Sequence, residues 1–296
     1  MLIQLEKTAF HEFAEQAYEM ALIPANTSYP IYYDGIKTKA NFLHRAAKAF
    51  EQEHEEILLF CKDGAFSGWL HVFALPEDRY LSTVSLSARI GMEQMLEEFL
   101  EFAAKKYPNY KVYLGFPEEN QAALTYLQTH GFDMEEQSWN MVLSMANWTG
   151  SMREGGFVIA IGKENYALFD QLHSQWDGKM YWDNRHIYAD LSNWLVFVAM
   201  EQERPIAAIY CMRDKMAEIF GIDFAEGRYD GQILHALLTA MIRACRADGT
   251  ENLVYFCNDQ EKAAVLGTGF TCVGKYCLVE RLVCAHAKGE DDFPKV

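Results

Sequence analysis

The apolar positions of the chain change their period several times between Glu218 and Phe270. An apolar strand comes first, then a turn-rich loop that opens a helix, then a second apolar strand that ends at Asn258, and a second helix that closes on Gly269-Phe270. The first helix has one apolar face, formed by Leu234, Leu237, Leu238, Met241, Ile242 and Cys245. The pattern therefore predicts a strand, loop, helix, strand, helix unit.

The same order of elements is predicted in the first half of the chain. Each half begins with a short strand and a helical segment, continues with a hairpin and a third strand, and ends as helix, strand, helix, strand. One offset of 138 residues aligns three separate elements, through the pairs Asn120 with Asn258, Gly131 with Gly269, Phe132 with Phe270, Leu96 with Leu234 and Phe99 with Leu237. This agreement favours a duplicated unit over two unrelated amphipathic helices.

The duplication predicts two domains. The polar, glycine-containing segment 149–156 interrupts the apolar pattern and is typical of a linker. We therefore predict a first domain at 1–148, a second at 157–284, and a polar, acidic tail at 285–296.

The loop that opens the helix of the second copy is suited to an anionic ligand. It contains Arg228 and Gly231 directly at the predicted helix start. The first backbone N–H groups of a helix have no partner within the helix, and the helix dipole is positive at that end. Because glycine lets a ligand approach the backbone closely, the loop is a candidate phosphate site.

The second copy thus contains a strand, an Arg-x-x-Gly loop, a helix and a strand, and then Asn258 with Gly-Phe eleven and twelve residues later. This combination resembles the core of the GNAT acyltransferase superfamily. The resemblance extends over both copies. It implies an α/β (α+β) fold of tandem GNAT-like domains, each with a mixed, mainly antiparallel sheet flanked by helices. The family loop has Gly or Ala at the third signature position, where this chain has Ile233.

The resemblance implies acetyl-CoA as acyl donor and a set of residues that bind it. In the family, backbone amides of the loop hold the pyrophosphate, which implies Arg228, Tyr229, Asp230, Gly231, Gln232 and Ile233 here. The strand before the loop pairs with the pantetheine arm, which implies the segment from Ile222 to Phe224. Asn258 matches an Asn that the family places near that arm. A loop glycine and a helix cap are the structural alternatives for Gly231 and Asn258.

Acyl transfer to an amine also needs a base and a stabilised leaving thiolate. A Glu on the strand before the loop serves as base in some family members, so Glu218 and then Asp223 are the candidates here, acting directly or through a water. Family members often protonate the thiolate with a Tyr seven residues after the motif Asn. Leu127 and Val265 occupy those positions, which leaves Tyr276 on the last strand as a possible substitute.

The acceptor pocket is predicted from the segment between the first strand and the hairpin, which lines that pocket in the family. Trp182, Asp183 and Tyr188 lie in this segment and could hold an ammonium group through ring faces and charge. A packed aromatic lid without a ligand is the alternative.

The two copies differ in the aligned loop, where Glu93 takes the place of Gly231. A carboxylate about 4 Å from a phosphate costs roughly 1–4 kcal/mol at effective dielectric constants between about 80 and 20. We therefore predict that the first copy does not hold coenzyme and is structural, or forms one wall of the acceptor site.

Composition narrows the function further. The formal net charge of −16 argues against nonspecific nucleic-acid binding and favours a cationic small substrate or a basic protein partner. The seven cysteines contain no Cys-x-x-Cys pair and no histidines are spaced i,i+4, so we predict free thiols and no metal site. The N-terminal segment is not of signal-peptide type and no stretch of 18 apolar residues occurs, which predicts a cytoplasmic protein that does not span a membrane.

Three functions remain open at this point. The first is an acyltransferase that moves an acetyl or other acyl group from acyl-CoA to a primary amine of a small molecule or peptide, using the second domain. The second is a catalytically silent GNAT-like ligand-binding or scaffold protein. The third is an aminoacyl transferase of the tandem-GNAT type, against which the acidic composition weighs. The acceptor, the acyl chain length and the oligomeric state are not encoded in these patterns.

Overall fold

The computed structural model describes residues 1–150, 157–227 and 229–283. Residues 151–156 of the predicted linker, the predicted tail at 285–296 and Arg228 lie outside the described residues. The chain divides into two compact units, one formed by Met1–Gln137 with Lys275–Val296 and the other by Ser138–Gly274. Among the described helices, none has the length and apolar character required to cross a membrane.

Twelve strands and eight α-helices are described. The strands are β1 (Leu2–Gln4), β2 (Glu55–Lys62), β3 (Ala65–Leu75), β4 (Tyr80–Ala88), β5 (Lys111–Pro117), β6 (Asp133–Ser144), β7 (Val158–Ala160), β8 (Trp194–Glu201), β9 (Arg204–Met212), β10 (Met216–Phe224), β11 (Asn252–Cys257) and β12 (Thr271–Leu282). The helices are α1 (Phe10–Ala21), α2 (Lys39–Ala47), α3 (Met92–Lys106), α4 (Gln121–Thr129), α5 (Ala167–His173), α6 (Asn184–Ala189), α7 (Gly231–Ala247) and α8 (Lys262–Gly267). The two copies repeat the same order of elements, as the duplication predicts.

The sheet of the first unit has the strand order β1-β2-β3-β4-β5-β12. Neighbouring strands are antiparallel except β4 and β5, which pair in parallel. The residues of β12 from Tyr276 to Leu282 pair with β5. The last strand of the second copy therefore completes the sheet of the first unit.

The sheet of the second unit has the strand order β6-β11-β10-β9-β8-β7. Here β10 and β11 form the one parallel pair, and the other neighbours are antiparallel. Strand β6 pairs through Trp139–Ser144 with Asn252–Cys257 of β11. Each compact unit thus includes the final strand of the other copy, whereas the predicted domains 1–148 and 157–284 are continuous segments.

Both sheets bury apolar side chains on each face. In the second unit, all six apolar positions of the predicted α7 stripe are buried beneath one face, while Phe169 of α5 and Ile187 of α6 pack with Tyr210 on the other. In the first unit, α3 and α4 cover one face and α1 and α2 cover the other. Each fully buried Leu or Phe contributes about 1.5–3 kcal/mol of transfer free energy, so these stripes position the helices. The predicted fold class is confirmed.

The described cysteines are free thiols, as predicted. They are Cys61, Cys211, Cys245, Cys257, Cys272 and Cys277. Cys284 lies outside the described residues.

Candidate functional site

The candidate site begins at a bulge in the third long strand of the second unit. The register of β10 against β9 shifts between Ile219 and Gly221, so Phe220 is an extra residue. A bulge of this kind bends the strand and increases its twist. Glycine is needed next to it, because a Cβ at Gly221 would lie 2.5 Å from the hydroxyl of Tyr210.

The bulge separates β10 from β11. Met216–Ile219 pair in parallel with Asn252–Tyr255, but beyond the bulge no described residue of β10 pairs with β11. From Gly221 to Phe224, the strand has β9 on one side only. The side chains of Ile222 and Phe224 pack toward the face that α7 covers. Among the described residues, the backbone edge of β10 beyond the bulge thus has no strand partner on the β11 side, which leaves a groove between these two strands.

Asn258 lies at the end of the other wall, directly after β11. Its side-chain oxygen accepts hydrogen bonds from the backbone N–H groups of Gln260 (2.9 Å) and Glu261 (3.1 Å), so Asn258 caps the turn that leads into α8, whose own N-cap is Glu261. Its side-chain Nδ2 has no hydrogen-bond partner within the described ranges, and the residue is exposed. A free amide donor therefore stands at the groove.

The amides at the start of α7 are already occupied. The Oδ1 atom of Asp230 accepts hydrogen bonds from the backbone N–H of Gln232 (2.7 Å) and Ile233 (3.1 Å). Asp230 is thus the N-cap of the helix. A pyrophosphate that uses these two amides must first displace a carboxylate of the same charge sign. The sequence contains the signal for this, because Asp directly before an apolar-periodic helix is a preferred cap.

Tyr229 and Gly231 complete the described part of the loop. The Tyr229 ring lies 5.6 Å from that of Phe224, and its hydroxyl would be 3.3 Å from a Cβ at Gly231. The small residue therefore leaves room for the tyrosine and keeps the backbone of the helix start accessible. Arg228, the first signature position of the loop, lies outside the described residues.

The two base candidates on β10 have different surroundings. Asp223 is 4% exposed, and both of its oxygens accept hydrogen bonds, Oδ2 from Nδ1 of His173 and Oδ1 from Nε1 of Trp176, each at 2.7 Å. Because its carboxylate is fully engaged in the fold, Asp223 is poorly placed to take a proton from an amine. Glu218 is half-buried opposite Val254, two residues before the bulge, and its role as base stays a prediction.

His173 is the partner that holds Asp223. It is completely buried, and its Nε2 lies 2.8 Å from the backbone oxygen of Trp182. Both ring nitrogens therefore face acceptors. Burial lowers the pKa of His173, but the hydrogen bonds to Asp223 and Trp182 outweigh it and raise the pKa above its ordinary value. His173 links α5, the end of β10 and the aromatic segment before α6. No sequence motif pointed to it.

The predicted acceptor residues form a packed aromatic segment. Trp182 is half-buried, with its ring 5.1 Å from that of Trp194. Asp183 caps α6 by accepting from the backbone N–H of His186 (3.1 Å), and its Oδ1 also lies 2.8 Å from His186 Nδ1. Tyr188 is exposed and contacts Tyr166. These contacts match the lid alternative, and ammonium binding by this segment stays a prediction.

A cleft of about 640 Å³ opens beside the end of the groove. Its walls come from α5 and the residues after it, from the start of β9, and from the end of β10 and the residues after it. They are Gln171, Leu172, Ser174, Gln175, Arg204, Pro205, Phe224, Ala225 and Glu226. Phe224 is the one of these that the sequence singled out. The cleft carries one cationic and one anionic side chain, Arg204 and Glu226, so a polar ligand suits it.

The remaining predicted positions lie in the cores or in the first unit. Leu127 and Val265, which replace the family Tyr, are fully buried. Tyr276 belongs to the first unit, where it pairs with Pro117 and its ring lies 5.3 Å from that of Tyr29. Glu93 is exposed in the first turn of α3. The predicted cofactor residues that the structure describes therefore lie in the second unit, and Tyr276 lies in the first.

No family model and no curated protein matches the sequence, but solved structures match over nearly its whole length. A GCN5-related N-acetyltransferase from Sphaerobacter thermophilus is 13% identical with a TM-score of 0.61, and the match covers 97% of this chain and 96% of that one. A tandem GNAT protein from the clavulanic acid biosynthesis pathway is 11% identical with a TM-score of 0.54, covering 99% of both chains. A Drosophila protein is 12% identical with a TM-score of 0.58, covering 95% and 98%.

At these identities the likeness shows the fold. It agrees with the duplicated element order, with one parallel pair in each otherwise antiparallel sheet, and with the strand that splits away after a bulge. The protein is therefore built as a tandem pair of GNAT folds.

Proposed function

We propose that the protein is an acyltransferase that moves an acyl group from acyl-CoA to a primary amine, with the coenzyme held in the groove of the second unit. The observation that carries the proposal is the open backbone edge from Gly221 to Phe224. The fold supports acyl transfer in general, since similar structures include N-acetyltransferases. The coenzyme, the acceptor and the residues that act are our inference.

The groove suits a pantetheine arm because that arm contains amide groups in an extended chain. Such a chain can add to a free strand edge as a peptide strand would, with main-chain hydrogen bonds for affinity. The N–H and C=O groups beyond the bulge provide one wall, and Nδ2 of Asn258 provides a donor on the other. The phosphate end fits less well, because binding there requires Asp230 to leave the amides of Gln232 and Ile233.

The bound coenzyme would supply the acyl group as an activated thioester. The task left to the protein is to orient the amine and to accept its proton. Glu218 is the proposed base, directly or through a water, because Asp223 is committed to His173 and Trp176. The amine nitrogen then forms the new bond to the acyl carbon, the carbon–sulfur bond breaks, and the sulfur leaves with the electron pair. We assign no side chain to its protonation.

The acceptor is proposed to enter through the cleft beside Phe224. The net charge of −16 favours a cationic amine, of a small molecule or a peptide, and the cleft offers the carboxylate of Glu226 together with the guanidinium of Arg204. Nucleic acid is disfavoured as a partner on the same ground. The cytoplasmic location stays a prediction.

Thermal unfolding with and without acetyl-CoA tests the proposal. A ligand that binds the native state at 100 times its Kd adds about 2.7 kcal/mol to the free energy of unfolding, so the melting temperature should rise. Release of free thiol should then require a primary amine, in a panel of diamines, amino sugars and lysine peptides. A protein whose melting temperature does not change at millimolar acetyl-CoA is not an acyl-CoA enzyme.

A silent binding protein is the second candidate. It is favoured by the carboxylate cap of α7 and by the buried Leu127 and Val265 in place of a tyrosine. Coenzyme binding without thiol release on any amine would support it over the first. The aminoacyl transferase hypothesis has no structural observation in its favour.

A further inference from the structure

The first unit opens the same groove as the second. The register of β4 against β3 shifts between His71 and Val72, and Val84 is the extra residue of the bulge. Before the bulge, β4 pairs in parallel with β5 over Tyr80–Ser82, and no further pairs between these two strands are described. Leu86, two residues past this bulge, therefore corresponds to Ile222, two residues past the bulge of β10.

In the first unit this groove is filled by the chain itself. The backbone N–H of Ser28 donates to the oxygen of Leu86 (2.7 Å), and the N–H of Leu86 donates back to Oγ of Ser28 (2.8 Å). On the opposite strand, the N–H of Tyr29 donates to the oxygen of Gly115 (2.8 Å). Thr27 forms an antiparallel bridge with Ser87. The segment Thr27–Tyr29 thus bridges the two diverging strands.

The motif asparagine of the first copy also binds this segment. Asn120 is completely buried, and its Nδ2 donates to the backbone oxygen of Thr27 (3.0 Å). Its Oδ1 accepts from the backbone N–H of Ala123 (3.2 Å), just as Oδ1 of Asn258 caps the turn in the second copy. The two asparagines share the capping role and differ in Nδ2, which meets a carbonyl at Asn120 and no described partner at Asn258.

The first two residues of the segment Thr27–Tyr29 are deeply buried in the groove of the first unit. Thr27 and Ser28 are each 1% exposed, although they lie outside any helix or strand. Tyr276 covers the site from β12, with its ring against Tyr29 and directly over Gly115. A coenzyme arm could enter only by displacing this whole segment and breaking its hydrogen bonds on both walls.

We infer that Thr27–Tyr29 is an internal substitute for the pantetheine arm, which seals the first unit and leaves the protein with one acyl-CoA site per chain. The stoichiometry rests on the proposed function, whereas the sealing does not depend on it. The first unit then acts as a folded support whose groove is satisfied by peptide. This reason is independent of the charge of Glu93 on which the sequence argument relied.

The matched variants Asn120→Asp and Asn258→Asp test the inference. Each keeps the capping oxygen and removes the Nδ2 donor. Asn120→Asp should lower the melting temperature without ligand and leave the Kd for acetyl-CoA within about twofold, since it loses a buried hydrogen bond far from any ligand contact. Asn258→Asp should leave the melting temperature nearly unchanged and weaken acetyl-CoA roughly tenfold, the loss expected for one hydrogen bond. Titration calorimetry on the intact chain should give one equivalent of acetyl-CoA.

Hydrogen exchange gives a readout that needs no coenzyme. The N–H groups of Ser28, Tyr29 and Leu86 should exchange slowly, with protection like that of β-strands, and acetyl-CoA should not change their rates. Should Asn120→Asp fail to fold, Ser28→Ala is the milder variant, and it should accelerate exchange at Leu86 because that N–H loses its acceptor.

Two equivalents of acetyl-CoA, or faster exchange at Ser28 and Tyr29 when acetyl-CoA is added, would overturn the inference. Exchange of these amides at the rates of an open loop would overturn it as well. If no acetyl-CoA binds at all, the proposed function fails, and the exchange rates at Ser28, Tyr29 and Leu86 alone decide whether the groove is sealed.

Discussion

Replacing Asp230 by serine removes one negative charge from the start of α7 while keeping an oxygen for its first amides. In the native chain, the carboxylate holds the N–H groups of Gln232 and Ile233 at 2.7 and 3.1 Å. Ser and Asp are similarly good N-caps, so Asp230→Ser should change the free energy of unfolding by less than about 0.5 kcal/mol. Asp230→Ala, which removes the cap itself, should cost about 0.5–2 kcal/mol.

Asp230→Ser should strengthen coenzyme binding, although it leaves the free energy of unfolding nearly unchanged. A carboxylate about 4 Å from a phosphate charge is unfavourable by roughly 1 kcal/mol in water and about 4 kcal/mol at an effective dielectric constant of about 20. Asp230 is exposed, so the lower part of this range applies. We expect acetyl-CoA to bind Asp230→Ser with a Kd about 5–30 times lower than that of the native chain, which corresponds to about 1–2 kcal/mol.

Titration calorimetry with two ligands separates this effect from a general loosening of the site. Acetyl-CoA carries the diphosphate, and acetyl-pantetheine carries the same thioester arm without it. The affinity gain should appear for acetyl-CoA alone and should shrink at high salt, because salt screens exposed charges. An unchanged or weaker affinity for acetyl-CoA, or an equal gain for both ligands, would refute the assignment of the diphosphate to this helix start.

Three further predictions concern ionisable groups elsewhere in the two units. Glu218→Gln should lower kcat about 10²–10⁴-fold at an unchanged Kd for acetyl-CoA if Glu218 is the base, and steady-state kinetics would show a smaller loss if it is not. Because the pKa of His173 is raised in the folded state, its contribution to stability is complete below a pH of about 6.5 and is lost as the pH rises through the higher folded value. Urea unfolding from about pH 5.5 to 9 should show this decline in the free energy of unfolding, and Asp223→Asn should abolish the decline. Burial raises the pKa of Glu55, but hydrogen bonds from His71 and Arg45 outweigh it and lower the pKa to about 2. The contribution of Glu55 to stability is therefore present above a pH of about 4.3 and is lost as the pH falls toward about 2. Because Arg45 is part-exposed, we expect this contribution to be about 1–2 kcal/mol, and Glu55→Gln should make the melting temperature fall less steeply with decreasing pH.

The sequence predicted those features that depend on local periodicity. Every residue of the predicted α7 stripe is buried. The duplication was visible because both copies must bury the same helix faces, so Leu96 and Leu234 occupy equivalent core positions. Strand β10, which forms one wall of the groove, could be predicted for the same reason, because it too buries apolar side chains.

Pairing partners were outside the reach of periodicity. The alternation of apolar and polar residues along a strand indicates which face is buried, but not which neighbouring strand it pairs with. The sequence therefore could not predict that β6 pairs with β11 and β12 with β5. The buried pair of Asp223 and His173 links residues 50 apart, and nothing local marks either of them. The capping role of Asp230, in contrast, is predictable from its position directly before the helix. The loop was instead interpreted as a ligand site, and this interpretation left the cap out.

A strand that splits from its neighbour leaves backbone groups that need partners, and the two copies meet this need in different ways. Buried N–H and C=O groups without hydrogen bonds are costly, so a sealed groove must contain peptide, ligand or water. In the first unit, Ser28 and Tyr29 satisfy the edges of Leu86 and Gly115, and Asn120 joins them. In the second unit, the edge past Gly221 has no such segment among the described residues. The same physical requirement therefore accounts for the segment bound in the first copy. Under the proposed function, the extended amide chain of acyl-CoA would meet it in the second copy.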